Sequence, residues 1–123
     1  MPHIYLEYSE NLKTIETQPI LKAINQSMLD GQFVKSADEL KSRALMQSDY
    51  LVGLGEKDIG YLHVKVALLS GRDDETKAKI SNTVLKATQA HFQQPNHLEV
   101  QICVEIIEMP KCCYSKVTLA TEF

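Results

Sequence analysis

The sequence has no apolar run long enough to cross a membrane, and its first residues lack the basic and then apolar pattern of a signal peptide. We therefore expect a cytoplasmic chain. An excess of positive charge is also missing, because the formal net charge is −3 at pH 7 and the pI is about 5.8. Such a chain has no general attraction for nucleic acid or for an anionic membrane. We expect neither as a partner, and any anion must be bound by a local group of cations.

Cysteine is scarce too, with three residues in the chain. Cys103 lies within an apolar run, and Cys112 and Cys113 are adjacent, a spacing typical of neither a metal site nor a redox motif. We interpret all three as reduced thiols with small buried or half-buried side chains. No histidine stands beside the adjacent pair, which argues against a thiol nucleophile. No spacing of histidine, cysteine and acidic residues predicts a metal site.

The composition that remains is that of an ordinary globular protein. With 123 residues, of which 44% are hydrophobic and 24% charged, the sequence predicts one domain with one core. Gly53, Gly55 and Gly60 indicate a turn near the middle of the chain. Residue alternation and helical spacing predict the following elements in order: a strand at 3–8, a helix at about 18–30, a strand from 41 to near 50, a strand at 61–68, a helix from 73 to before 95, and a strand at 98–109.

The order strand, helix, strand thus occurs twice, which predicts pseudo-repeat halves at about 1–57 and 58–123. A helix between two strands is long enough for a parallel pair with a right-handed crossover. We therefore expect a two-layer α/β fold in which duplicated β-α-β units form a four-stranded mixed sheet with both helices on one face. The other face is predicted to be mixed in character, so that either self-association about a rotation axis covers it or it stays solvated in a monomer.

Proline is the second residue, directly before the first predicted strand. Because proline has no N–H to donate, the start of an edge strand is one of the few places where a sheet tolerates it, and this alone could explain Pro2. Removal of Met1 would instead leave Pro2 as a free secondary amine. Apolar surroundings and nearby cations would lower the pKa of that amine towards neutral pH, where a general base works best.

The chain has only two arginines, Arg43 and Arg72, against eleven lysines. Arginine binds a carboxylate through two parallel hydrogen bonds, whereas lysine is a mobile point charge. Lys41 and Arg43 lie two residues apart at the start of the second predicted strand, on the same face, and Arg72 follows the third strand. These three side chains are candidate carboxylate ligands. Alternatively, the arginines form surface ion pairs with the acidic residues at 73–75.

Several short motifs follow one another in a fixed order: MPH before a strand, a glycine after the first helix, SR at 42–43, HV after a glycine-bounded turn, SGR at 70–72, and VEIIEM in the last strand. In this order and spacing, from the first residue to about residue 109, the sequence resembles the 5-carboxymethyl-2-hydroxymuconate delta-isomerase family. That family belongs to the tautomerase superfamily, with 4-oxalocrotonate tautomerase and macrophage migration inhibitory factor. Lys13 and Lys41 stand where the family commonly has arginine, so the two-point grip on a carboxylate is lost at both positions.

The resemblance implies a single tautomerase-like domain, a homotrimer and a cofactor-independent intramolecular isomerase. It implies Pro2 as the catalytic acid–base group, and Arg43 and Arg72, with Lys41, as the substrate-binding residues. The implied reaction moves a proton and a double bond in an unsaturated 2-hydroxy or 2-keto polycarboxylic acid of the 5-carboxymethyl-2-hydroxymuconate type, as in the breakdown of aromatic compounds. No metal or other cofactor is expected, since proton transfer in an enol needs a base and charge stabilisation.

Two other functions remain open at this stage. One is a tautomerase that acts on a different α-keto or enol acid. The other is a non-catalytic trimeric binding module, which is expected if Met1 is retained, because the Pro2 nitrogen would then be an amide without useful basicity.

Overall fold

A computed structural model describes residues 1–121 and contains four strands and two α-helices in two layers. Strands β1 (His3–Ser9) and β2 (Lys41–Gln47) pair in parallel, as do β3 (Ile59–Leu69) and β4 (Glu99–Met109). β1 pairs antiparallel with β3, which gives the sheet order β2-β1-β3-β4. One helix connects the strands of each parallel pair, so the predicted duplicated β-α-β fold is confirmed. The helices are α1 (Thr17–Asp30) and α2 (Asp74–His91), and single 3₁₀ turns lie at Ala37–Glu39 and Lys111–Cys113.

Both helices pack on the same face of the sheet, because one side of each helix and alternate residues of the strands are apolar. α1 begins one residue earlier than predicted and has Pro19 in its first turn, where the missing N–H leaves no bond unmade. The Asp73 side chain caps α2 by accepting a hydrogen bond from the Thr76 N–H at 2.9 Å. The fully buried core includes Ile4, Leu6, Ile24, Met28, Leu62, Val64, Val66, Ile80 and Val84.

The second strand is shorter than predicted. It ends at Gln47, and Tyr50 lies in the loop that follows. The reason is that its parallel partner β1 ends at Ser9, the residue paired with Gln47, and no strand continues beyond it to supply hydrogen bonds. The interpretation of the cysteines as buried or half-buried was also wrong, since all three thiols are exposed.

The sheet face away from the helices carries a mixture of aromatic, charged and apolar side chains, as predicted. Lys65 Nζ lies 3.2 Å from the Glu7 carboxylate, and His63 Nε2 lies 2.8 Å from that of Glu105. Large side chains are exposed beside these pairs, including Tyr5 and Leu45 at 39% and 58% exposure. We call this surface the open face. Within residues 1–121, neither helix is long and apolar enough to cross a membrane.

Candidate active site

Pro2 is buried at the start of β1, an interior strand of the sheet. Its carbonyl oxygen accepts a hydrogen bond from the Lys41 N–H at 3.3 Å, which extends the β1–β2 pairing by one position. The strand that follows Pro2 has a neighbouring strand on each side, so the alternative that Pro2 only begins an edge strand is wrong. The backbone holds the amino-terminal end of the chain in place instead of leaving it free in solvent.

Charged groups surround this end of the chain. The pKa of the Met1 amino group is lowered from its ordinary value of 8.0, chiefly because the group is partly buried. The Glu39 carboxylate acts in the opposite direction, and the positive charges of Arg72, Lys41 and Lys116 lower the pKa further. The environment at the amino terminus therefore disfavours a protonated amine.

Arg72 is held in place by backbone carbonyls. Its Nη1 donates to the carbonyl oxygen of Leu69 at 3.3 Å, and its Nη2 donates to that of Phe33 at 3.4 Å. A guanidinium has five N–H donors in a rigid plane, so three of them remain for another partner. The group is thus positioned by the fold before any ligand arrives.

Two lysines complete the cluster around the amino terminus. Lys41 donates from Nζ to the Glu39 carbonyl oxygen at 3.2 Å. Lys116 lies in the segment after β4, and its Nζ is 3.1 Å from the Met1 sulfur. The structure thus brings the predicted residues Pro2, Lys41 and Arg72 together and adds Lys116.

Arg43 lies on the open face, beside this cluster. Its guanidinium carbon is 4.4 Å from the centre of the Tyr5 ring, and its Nη1 and Nη2 are 3.4 and 3.3 Å from His3 Nδ1. The pKa of His3 is lowered from its ordinary value, first by partial burial and then by the charges of Arg43, Lys41 and the amino terminus. Among residues 1–121, neither arginine forms an ion pair, so the alternative of surface pairs with the acids at 73–75 is wrong.

Sequence reasoning missed the contribution of the segment after β4. Tyr114 places its hydroxyl 3.0 Å from His3 Nε2, and Lys116 reaches Met1. Residues 110–121 contain neither alternation nor a helical repeat that would predict a return to the amino terminus. These two residues can be located only from the three-dimensional path of the chain.

The model of the family described as 5-carboxymethyl-2-hydroxymuconate isomerase matches residues 2–120. The chain belongs to this family. The matched region begins at Pro2 and includes Lys41, Arg43, Arg72 and Lys116. Membership of the 5-carboxymethyl-2-hydroxymuconate isomerase family supports an isomerase activity.

Solved structures share the fold of this family member. A 5-carboxymethyl-2-hydroxymuconate isomerase from Deinococcus radiodurans R1 is similar over 96% of this chain and 90% of that chain, with a TM-score of 0.83 and 21% identity. A 5-carboxymethyl-2-hydroxymuconate delta-isomerase is similar over 98% and 87%, with a TM-score of 0.70 and 17% identity. A protein described as a fused 4-OT wild type symmetric trimer is similar over 89% and 87%, with a TM-score of 0.66 and 16% identity. No curated protein sequence matches the chain significantly.

Proposed function

We propose that this chain, once Met1 is removed, uses the Pro2 nitrogen to move a proton and a double bond in an unsaturated 2-hydroxy or 2-keto polycarboxylic acid of the 5-carboxymethyl-2-hydroxymuconate type. The observation that carries this proposal is the setting of the amino terminus. Pro2 is buried directly before the interior strand β1, and the Met1 amine one residue away is partly buried near the positive charges of Arg72, Lys41 and Lys116 and the carboxylate of Glu39. The Pro2 amine freed by removal of Met1 would lie in the same surroundings. Such a setting favours an unprotonated amine and an anionic substrate at the same place.

The reaction uses one proton and needs no other reactant. The unprotonated Pro2 nitrogen removes the proton from the 2-hydroxyl of the enol, and the electron pair moves through the conjugated double bonds as the 2-keto group forms. The protonated nitrogen then delivers that proton to a carbon atom of the substrate. Atoms and charge balance, since substrate and product are isomers. A base with a pKa near the working pH typically contributes 10²- to 10⁴-fold in rate.

The cations would have two tasks in this reaction. Arg72 keeps three N–H donors available after its bonds to Leu69 and Phe33, enough to bind a carboxylate through two parallel bonds. Lys41 and Lys116 would act as point charges towards a second carboxylate. All three would also stabilise the negative charge that spreads onto the dienolate oxygen. Of the two tasks, this electrostatic stabilisation contributes more to the rate where water is excluded from the site.

Arg43 would serve the same chemistry in an assembled homotrimer. It lies on the open face with the exposed side chains of Tyr5, Leu45 and Ile107, a surface that a neighbouring subunit would cover. The similar fold of a protein described as a symmetric trimer supports this arrangement. In a trimer Arg43 could bind a carboxylate at a pocket shared between two subunits.

The test begins with the intact mass of the protein from its native host, which should lack one methionine. The processed protein should convert a 2-hydroxymuconate-type acid, followed by ultraviolet absorbance, and Pro2→Ala should lower the turnover at least about 10²-fold. The same chain with Met1 retained is a second comparison, because residues from Pro2 onward are unchanged and the added methionine blocks the Pro2 nitrogen. Wild-type turnover in Pro2→Ala would overturn the proline mechanism.

The same assay separates the other functions. A panel of α-keto and enol acids should show the highest kcat/KM for acids with two or more carboxylates, because Arg72, Lys41 and Lys116 all place positive charge near the amino terminus. A preference for an acid with one carboxylate would favour a different tautomerase. A retained Met1 in the native host would favour a binding module.

A further inference from the structure

Cys112 and Cys113 place their thiols side by side in the 3₁₀ turn at Lys111–Cys113. The two sulfur atoms lie 3.4 Å apart, and both side chains are exposed. The Cys113 N–H donates to the Pro110 carbonyl oxygen at 3.0 Å, which fixes the turn that holds the sulfurs together. Two accessible thiols in contact form a dithiol, and the isomerase chemistry proposed above uses neither of them.

This turn is anchored at both of its ends to the neighbourhood of the amino terminus. On one side, the Lys111 N–H donates to Ser70 Oγ at 3.2 Å, two residues before Arg72. On the other side, the Tyr114 hydroxyl lies 3.0 Å from His3 Nε2. A change in the shape of the turn can therefore be transmitted to β1 through the contact between Tyr114 and His3.

We propose that Cys112 and Cys113 form a reversible redox-modification site for low-molecular-weight disulfides such as oxidised glutathione. The thiolate of one cysteine attacks the disulfide, forms a mixed disulfide and releases one glutathione thiol. The thiolate of the other cysteine then attacks the sulfur of the protein cysteine that carries glutathione and releases the second glutathione. The two cysteines lose two protons and two electrons, and the oxidised glutathione gains them.

The product must distort the turn. Consecutive Cα atoms are about 3.8 Å apart across a trans peptide, whereas disulfide-bonded cysteines usually have Cα atoms about 4.4–6.8 Å apart. A bond between neighbours is therefore strained, and strained disulfides are the readily reduced ones. Since Ser70 and the end of β4 hold Lys111, we expect the Tyr114 side to move, so that oxidation releases Tyr114 from His3.

The decisive experiment is intact mass spectrometry after treatment with oxidised glutathione. Cys103→Ser serves as the parent, because Cys103 is also exposed but lies in β4, away from the turn. The parent should lose two hydrogen atoms and carry no glutathione, and dithiothreitol should restore its mass. Cys112→Ser and Cys113→Ser, each made in the parent, should instead keep one glutathione. A parent that stays glutathionylated, or that forms a covalent dimer, would overturn the proposal.

A second measurement tests the link to β1 without using turnover. The NMR resonances of the His3 imidazole should shift when the parent is oxidised and return on reduction. Tyr114→Phe, made in the parent, should show a smaller shift, because the hydroxyl contact is already absent. His3 resonances that are identical in the oxidised and reduced parent would show that the turn is not coupled to the amino terminus.

Discussion

The Tyr114 hydroxyl lies 3.0 Å from His3 Nε2, and the two rings meet edge to face with their centres 6.0 Å apart. This contact joins the segment after the last strand to the first residue of β1, an interior strand of the sheet. Tyr114→Phe keeps the ring and removes the hydroxyl, so the free energy of unfolding should fall by about 0.5–1.5 kcal/mol in urea denaturation. Tyr50→Phe is the matched control, since Tyr50 also packs edge to face, on Tyr61, but its hydroxyl has no hydrogen-bond partner among residues 1–121. Equal losses in the two variants would contradict the role of the hydroxyl.

Arg72→Ala should mainly weaken substrate binding. The variant would lose the proposed two-point grip on a carboxylate, and charge-assisted hydrogen bonds contribute about 1.5–3 kcal/mol, so KM should rise roughly tenfold to a hundredfold. Arg72→Lys should recover part of the binding, because the charge returns without the planar fork. Lys86→Ala, which removes a charge from the exposed side of α2, should leave KM unchanged. An unaltered KM in Arg72→Ala would remove this residue from the site.

Lys116→Ala tests the cation that the sequence did not reveal. Because Lys116 is exposed, removal of its charge should raise KM only about twofold to fivefold. The difference from wild type should shrink as salt is added, because added ions screen an exposed charge. Lys57→Ala removes a charge from the exposed loop before β3 and serves as the control. A Lys116→Ala variant with wild-type KM at low salt would show that the substrate does not reach this lysine.

The lowered pKa of His3 should appear in the pH dependence of stability. The unfolded chain, with an ordinary pKa of 6.5, binds the proton more tightly than the folded chain does. Below the folded pKa the native state carries a charged imidazole that burial, Arg43 and Lys41 disfavour, and this cost disappears as the pH rises through 6.5. The free energy of unfolding should therefore increase with pH in this window.

Two variants isolate that slope. His3→Gln removes the titrating group, and the difference between its stability and that of the wild type should change with pH only below about 7. Arg43→Gln keeps the histidine but removes its nearest cation, so the slope should become smaller without vanishing. A wild-type slope that persists in His3→Gln would assign the effect to another group.

The fold could be predicted because burial follows local sequence patterns. Leu62, Val64 and Val66 alternate with polar residues, and all three are fully buried in β3. The end of β2 could not be predicted in the same way. It is set by where the partner strand β1 stops, at Ser9, and that is a property of the sheet and not of the residues after Gln47.

The positions of three residues of the candidate site could be predicted for a similar reason. Pro2, Lys41 and Arg72 lie next to elements whose order fixes their place, at the start of β1, the start of β2 and the end of β3. Tyr114 and Lys116 lie in a segment without regular structure, and individual hydrogen bonds determine its path. The secondary-structure propensities of the residues do not predict such a path.

The 3.1 Å approach of Lys116 to Met1 also matters for anyone who produces this protein. A peptide tag fused ahead of Met1 would prevent exposure of the Pro2 nitrogen, on which the proposed chemistry depends, and would lie near the basic side chains beside it. Recombinant material should therefore be made without an amino-terminal fusion, or with one whose cleavage leaves proline as the first residue. Purified protein that carries such a tag would look inert for reasons unrelated to its native role.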